Sequence, residues 1–88
     1  MNYEIELSNK VLKYLKKLDH PTRIRILDYL NMLSENPRNP ELDIKKLQGY
    51  YNNYRLRISS YRIIYSIDDH ILKVLVIKIG SRGDIYKK

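Results

Sequence analysis

Cysteine, phenylalanine, tryptophan and alanine are all missing from these 88 residues. The lack of cysteine excludes a disulfide framework and a thiolate nucleophile, and it suits a reducing compartment. Without Phe and Trp, aromatic packing rests on nine tyrosines. No apolar run approaches the roughly 18 residues that a membrane span needs. Met1-Asn2-Tyr3-Glu4 also lacks the basic-then-apolar order of a signal peptide. The expectation is a soluble, cytoplasmic protein. Three scattered glycines make no phosphate-cradling loop. His20 and His70, the only imidazoles, fall at turns without a partner at ligand spacing, so neither a metal nor another cofactor is expected. A chain of this length forms one domain, residues 1–88, around one modest core.

Acidic residues are scarce in one half only. Residues 1–44 hold seven Lys/Arg and seven Asp/Glu, whereas residues 45–88 hold ten and three, so the whole net charge of +7 lies in the second half. Lys45 to Ile67 contains no acid. AT-rich coding would enrich Ile, Lys, Asn and Tyr, but it would not clear acids from one half. Such asymmetry points to a polyanionic partner, nucleic acid ahead of membrane.

Tyr3, Ile5 and Leu7 alternate with polar residues and predict a short strand. Ser8 or Asn9 caps a helix to about Leu18, with Val11, Leu12, Leu15 and Leu18 as its apolar stripe. Asp19-His20-Pro21-Thr22 breaks it and starts a second helix, which carries Ile26, Leu27, Leu30 and Leu33 inward and ends near Asn36 before Pro37. Leu42 to Leu47 reads as a brief helical turn stopped by Gly49. Tyr54 to Ile67 is a hairpin turning at Ser59-Ser60. Asp68-Asp69-His70 is the next turn, and Ile71 to Ile79 is a nearly continuous apolar strand. The predicted order is β-α-α-β-β-β: an α+β fold whose antiparallel two-helix hairpin packs on one face of a mainly antiparallel four-stranded sheet.

With the turn at Ser59-Ser60, Ile58 opposes Tyr61, Arg57 opposes Arg62 and Arg55 opposes Ile64. Tyr54, Leu56, Ile58, Tyr61, Ile63 and Tyr65 share the other face. Like charges set directly across a strand pair are destabilising, so an Arg57–Arg62 pair implies an anionic ligand. All the hairpin cations are Arg, whose planar fork takes two phosphate oxygens where Lys offers a point charge. Parity on the last strand places Lys78, Gly80 and Arg82 together, with Tyr86 beyond. Arginines can clamp a scissile phosphate, and a phenol can stack on a base or exchange a proton. Lys45, Lys46, Lys78 and Tyr54 are candidate nucleic-acid contacts around that centre.

The chain resembles the RelE toxins of bacterial and archaeal toxin–antitoxin pairs, within the wider RelE/ParE superfamily. The markers run almost its full length: Lys16-Lys17-Leu18, Asn36-Pro37, Lys46-Leu47-Gln48-Gly49, Tyr54-Arg55-Leu56-Arg57, Tyr61-Arg62-Ile63-Ile64-Tyr65, Ile79-Gly80-Ser81-Arg82 and Asp84-Ile85-Tyr86. The resemblance implies an endoribonuclease that cleaves mRNA in the ribosomal A site by 2′-hydroxyl attack, leaving a 2′,3′-cyclic phosphate. It implies catalytic roles for Arg55, Arg57, Arg62, Arg82 and Tyr86. Arg62 would steady the transition state, Arg82 would serve the leaving group or the phosphate, and Tyr86 would orient or activate the substrate. Ser81 stands where many relatives carry His before the C-terminal arginine, which leaves Tyr86 as proton acceptor and Lys78 a distant second. The implied partners are a small helical antitoxin, the ribosome with its mRNA, and operator DNA through the antitoxin complex. A ParE-like inhibitor of DNA gyrase, an inactive antitoxin-binding member and a plain nucleic-acid-binding module are the alternatives.

Overall fold

A computed structural model describes residues 2–49 and 52–81. In chain order the elements are β1 (Glu4–Leu7), α1 (Asn9–Lys17), α2 (His20–Glu35), β2 (Ile44–Lys46), β3 (Asn53–Ile58), β4 (Tyr61–Asp68) and β5 (Lys73–Ser81). The strands form one sheet in the order β1-β5-β4-β3-β2, antiparallel except for the parallel β1–β5 pair.

The helices start and stop where side-chain chemistry dictates. The Ser8 hydroxyl accepts from Val11 N–H, capping α1, and donates to the Ile77 carbonyl at 3.0 Å, which moors that cap to β5. The Asp19 carboxylate caps α2 through the Thr22 N–H and hydroxyl. Arg23 donates to the Leu15 and Leu18 carbonyls at the end of α1, where a cation also meets the negative end of the helix dipole. Val11, Leu15, Ile26, Leu30 and Leu33 then meet Leu56, Ile63, Tyr65, Val74 and Val76 in a single core.

Two expectations need correction. Among the described residues the sheet has five strands, not four, because Ile44–Lys46 is a strand rather than a helical turn. Its register, Ile44 with Leu56, Lys45 with Arg55 and Lys46 with Tyr54, covers an otherwise open edge of β3. Unpaired edge N–H and C=O groups favour such a partner over a single isolated turn of helix. Gly49, at φ +81°, sits in the turn that follows β2. The last strand also begins two residues late, at Lys73, since Ile71 is 61% exposed and Leu72 lies in the left-handed region at φ +52°. From that turn the Leu72 carbonyl accepts from Glu4 N–H.

The hairpin register is as predicted: Arg57 faces Arg62, Arg55 faces Ile64 and Ile58 faces Tyr61. Between β4 and β5 there is a bulge, with Ile64 paired to Lys78 but Tyr65 to Val76. Ile77 is the extra residue, and it switches the parity of β5. Strict alternation would put Lys73 and Lys78 on opposite faces. The bulge brings both to the side away from the helices, while Val74, Val76 and Ile79 all turn into the core.

The loop after α2 is fastened by polar contacts. The buried Tyr65 hydroxyl donates to the Pro37 carbonyl at 2.7 Å, and burial pushes its phenol well above the ordinary tyrosine range. Tyr65→Phe should orphan that carbonyl and cost about 1–3 kcal/mol, read as a lower midpoint in urea unfolding with an unchanged slope.

Arg38 forks onto Asp69 at 3.0 and 3.2 Å, and Asp69 also accepts from the Tyr3 hydroxyl at 2.6 Å. These bonds, from Arg38 first and Tyr3 second, hold the Asp69 carboxyl below its usual range. A depressed folded pKa contributes stability above the unfolded value, roughly 3.9, and loses it as pH falls through the folded one. Asp69→Asn should therefore melt below the parent at pH 7, and thermal scans should show the gap closing in acid.

Candidate functional site

The face of the sheet away from the helices has a charge pattern set by register alone. Lys45, Arg55, Ile64 and Lys78 run in line across β2, β3, β4 and β5. The next line toward the hairpin tip is Arg57, Arg62 and Gly80. Gly80 adds no side chain beside Arg62, which is only 7% exposed despite its charge. The Arg55 side chain is 13% exposed, and Arg57, at 46%, stands out toward solvent. The far side of the same face is acidic. Glu4 and Glu6 come from β1, Asp68 faces Lys73, and Lys73 pairs with Glu6 at 2.8 Å. A cleft of about 320 Å³ near the β4–β5 turn is lined by Asp68, Asp69 and His70 with Asn52, Ser66 and Ile67. Its carboxylates suit it poorly to phosphate. A polyanion would thus meet attraction at the hairpin end and repulsion at the other.

Sequence patterning missed one member of the cationic site. Asp43, just before β2, reaches Arg55 Nη2 at 3.0 Å and Arg57 Nε at 3.5 Å with separate carboxylate oxygens. Its backbone carbonyl accepts from Arg57 N–H, which fixes it beside the strand. The available signal was parity: Asp43 lies two residues before Lys45 and is the last acid before the acid-free stretch. Even with that carboxylate present, Arg55 Nε is buried without a hydrogen-bond partner.

Arg55, Arg57, Arg62, Lys45 and Lys78 are therefore gathered on one face. Tyr54 and Lys46 are not among them. Tyr54 pairs with Tyr65 on the helix side, is 9% exposed, and stacks on the Tyr65 ring at 5.8 Å between centroids. The Arg38 guanidinium lies 5.6 Å from the Tyr54 ring centre and donates to its hydroxyl. Placing Tyr54 with the RNA contacts is thus corrected: its alternation with Arg55 sends it into the core. Lys46, opposite Tyr54, shares that face at the exposed sheet edge. Arg82 and Tyr86 lie outside the described residues. Among the described residues, no three His, Asp or Glu side chains gather as metal ligands, and no helix is long and apolar enough to cross a membrane.

A family model described as the ParE toxin of the type II toxin–antitoxin system parDE matches residues 5–86. The chain belongs to the ParE toxin family. It is also similar to RelE toxins. This toxin is 34% identical over 90 residues to RelE1 of Methanocaldococcus jannaschii, covering 99% of this chain and 98% of the relative. It is 32% identical over 92 residues to the mRNA interferase toxin RelE of Escherichia coli K12, with 100% and 94% covered. In structure the toxin is similar to a chain in the archaeal RelE–RelB complex of Pyrococcus horikoshii OT3. There the TM-score is 0.84 at 30% identity, over 96% of this chain and 99% of that one. The two-helix, mainly antiparallel sheet fold is accordingly that of RelE-type toxins.

Proposed function

We propose that this toxin is an mRNA interferase whose cationic sheet face grips the backbone of mRNA held on the ribosome. The observation that carries this reading is the Arg57–Arg62 pair, set cross-strand on the face away from the helices with Arg55 one line away. In the proposed reaction the ribose 2′-oxygen forms a bond to phosphorus while the bond from phosphorus to the 5′-oxygen breaks. The 2′-proton passes to a base, the departing oxygen gains a proton, and the products are a 2′,3′-cyclic phosphate and a 5′-hydroxyl. Arg57 and Arg62 offset the charge growing on the non-bridging oxygens. Tyr86 is assigned as proton acceptor, and Arg82 serves the leaving oxygen. A guanidinium stays protonated at any physiological pH and cannot be the base.

The partner that silences the toxin is read as a small antitoxin, in keeping with the RelE–RelB complex among its structural neighbours. Acidic groups on a helical antitoxin segment would neutralise the cationic face, and operator DNA would be bound through the complex. Toxin added to ribosomes programmed with a defined mRNA should yield fragments ending in cyclic phosphate. The family model that matches is named for ParE, so gyrase supercoiling is assayed in parallel. Intact mRNA together with inhibited supercoiling would replace the nuclease reading with the gyrase one.

A further inference from the structure

We propose that Asp43 is a built-in competitor for substrate phosphate, occupying the Arg55–Arg57 fork until RNA displaces it. The inference rests on the reading of the cationic face as the RNA site. A carboxylate and a phosphodiester present the same motif to a guanidinium, two oxygens sharing a negative charge. Asp43 uses one oxygen on Arg55 and the other on Arg57, spanning two guanidiniums that project from the same side of β3. A bound phosphate would bridge those two groups in the same manner.

Three observations separate a displaceable occupant from a fixed structural brace. The Asp43 and Arg57 side chains are 53% and 46% exposed, and ion pairs this open to water hold weakly. The carboxylate leaves Arg55 Nε unpartnered, so it does not saturate the donors it faces. Among the described residues it is also the one carboxylate at the hairpin end of a face that carries Lys45, Arg55, Arg57, Arg62 and Lys78, so the described cations there outnumber it. In the free protein Asp43 relieves repulsion among these cations. In the complex that service passes to the phosphate. The expected signature is opposite movement of stability and affinity when the carboxylate is removed.

The test uses the full chain and a fluorescent single-stranded RNA oligonucleotide, titrated by anisotropy over a range of salt. Asp43→Asn should bind about three- to tenfold tighter while melting at a lower temperature. Its plot of log K against log salt should steepen by about 0.7, because one more cationic charge is free to neutralise phosphate and release the RNA's condensed cations. The gain should vanish in an Arg55→Gln, Arg57→Gln background, where nothing remains to be freed. Asp43→Ser, which lacks the amide, should behave like Asp43→Asn. Unchanged or weaker binding in both Asp43 variants, with Arg57→Gln still impaired, would overturn the competitor and leave the RNA face standing. Binding and cleavage that survive Arg55→Gln and Arg57→Gln would overturn both.

Discussion

Arg62→Ala is expected to slow mRNA cleavage on programmed ribosomes by about 100- to 1,000-fold, the usual cost of removing one preorganised donor from a developing oxyanion. Arg62 should be the costliest of the described arginines to lose because it is 7% exposed, whereas Arg57 is largely in water. Shielding from solvent strengthens the pull of a charge on a phosphate oxygen. Arg62→Lys keeps the charge but loses the fork, so it should recover binding of the oligonucleotide better than it recovers turnover. Circular dichroism on each variant separates loss of chemistry from loss of fold. A folded Arg62→Ala protein that cuts at the parental rate would remove this residue from the reaction.

The second large effect is on stability. Leu33 is fully buried where α2 meets the sheet, and Leu33→Ala should cost about 2–5 kcal/mol in lost burial and residual cavity. A domain of this size has only about 5–15 kcal/mol in total. The melting temperature should fall by about 10–30 °C. Leu12→Ala, at a site 42% exposed on α1, is the control and should stay within about 0.5 kcal/mol of the parent. Equal losses in the two variants would mean that α2 is not the element holding the sheet's covered face.

What could be read from the chain follows from the range of the forces involved. The β3–β4 register was legible because two-residue alternation and a tight turn leave only one pairing that buries Leu56 and Ile63 together. The helix starts were legible to within a residue or so, at Ser8 or Asn9 and within Asp19 to Thr22, because capping acts on groups three residues away. β2 was not, since three residues with two lysines carry no strand pattern, and its existence depends on an edge formed by a distant segment. The bulge at Ile77 was hidden for the same reason: parity read along β5 alone separates Lys73 from Lys78, and only pairing with β4 reunites them. The Arg38–Asp69 contact joins two loops that no periodicity links. Tyr54 is the instructive error. Its alternation with Arg55 sends it inward, where its ring stacks on Tyr65 rather than joining the cations.

β1 touches the sheet only through β5, the strand farthest from it in the chain. Ile5 and Leu7 therefore have no neighbouring strand to rest on until synthesis has passed Ser81. A break in the chain anywhere before β5 would therefore strip two strands from the sheet, because β1 would lose its pairing partner along with it.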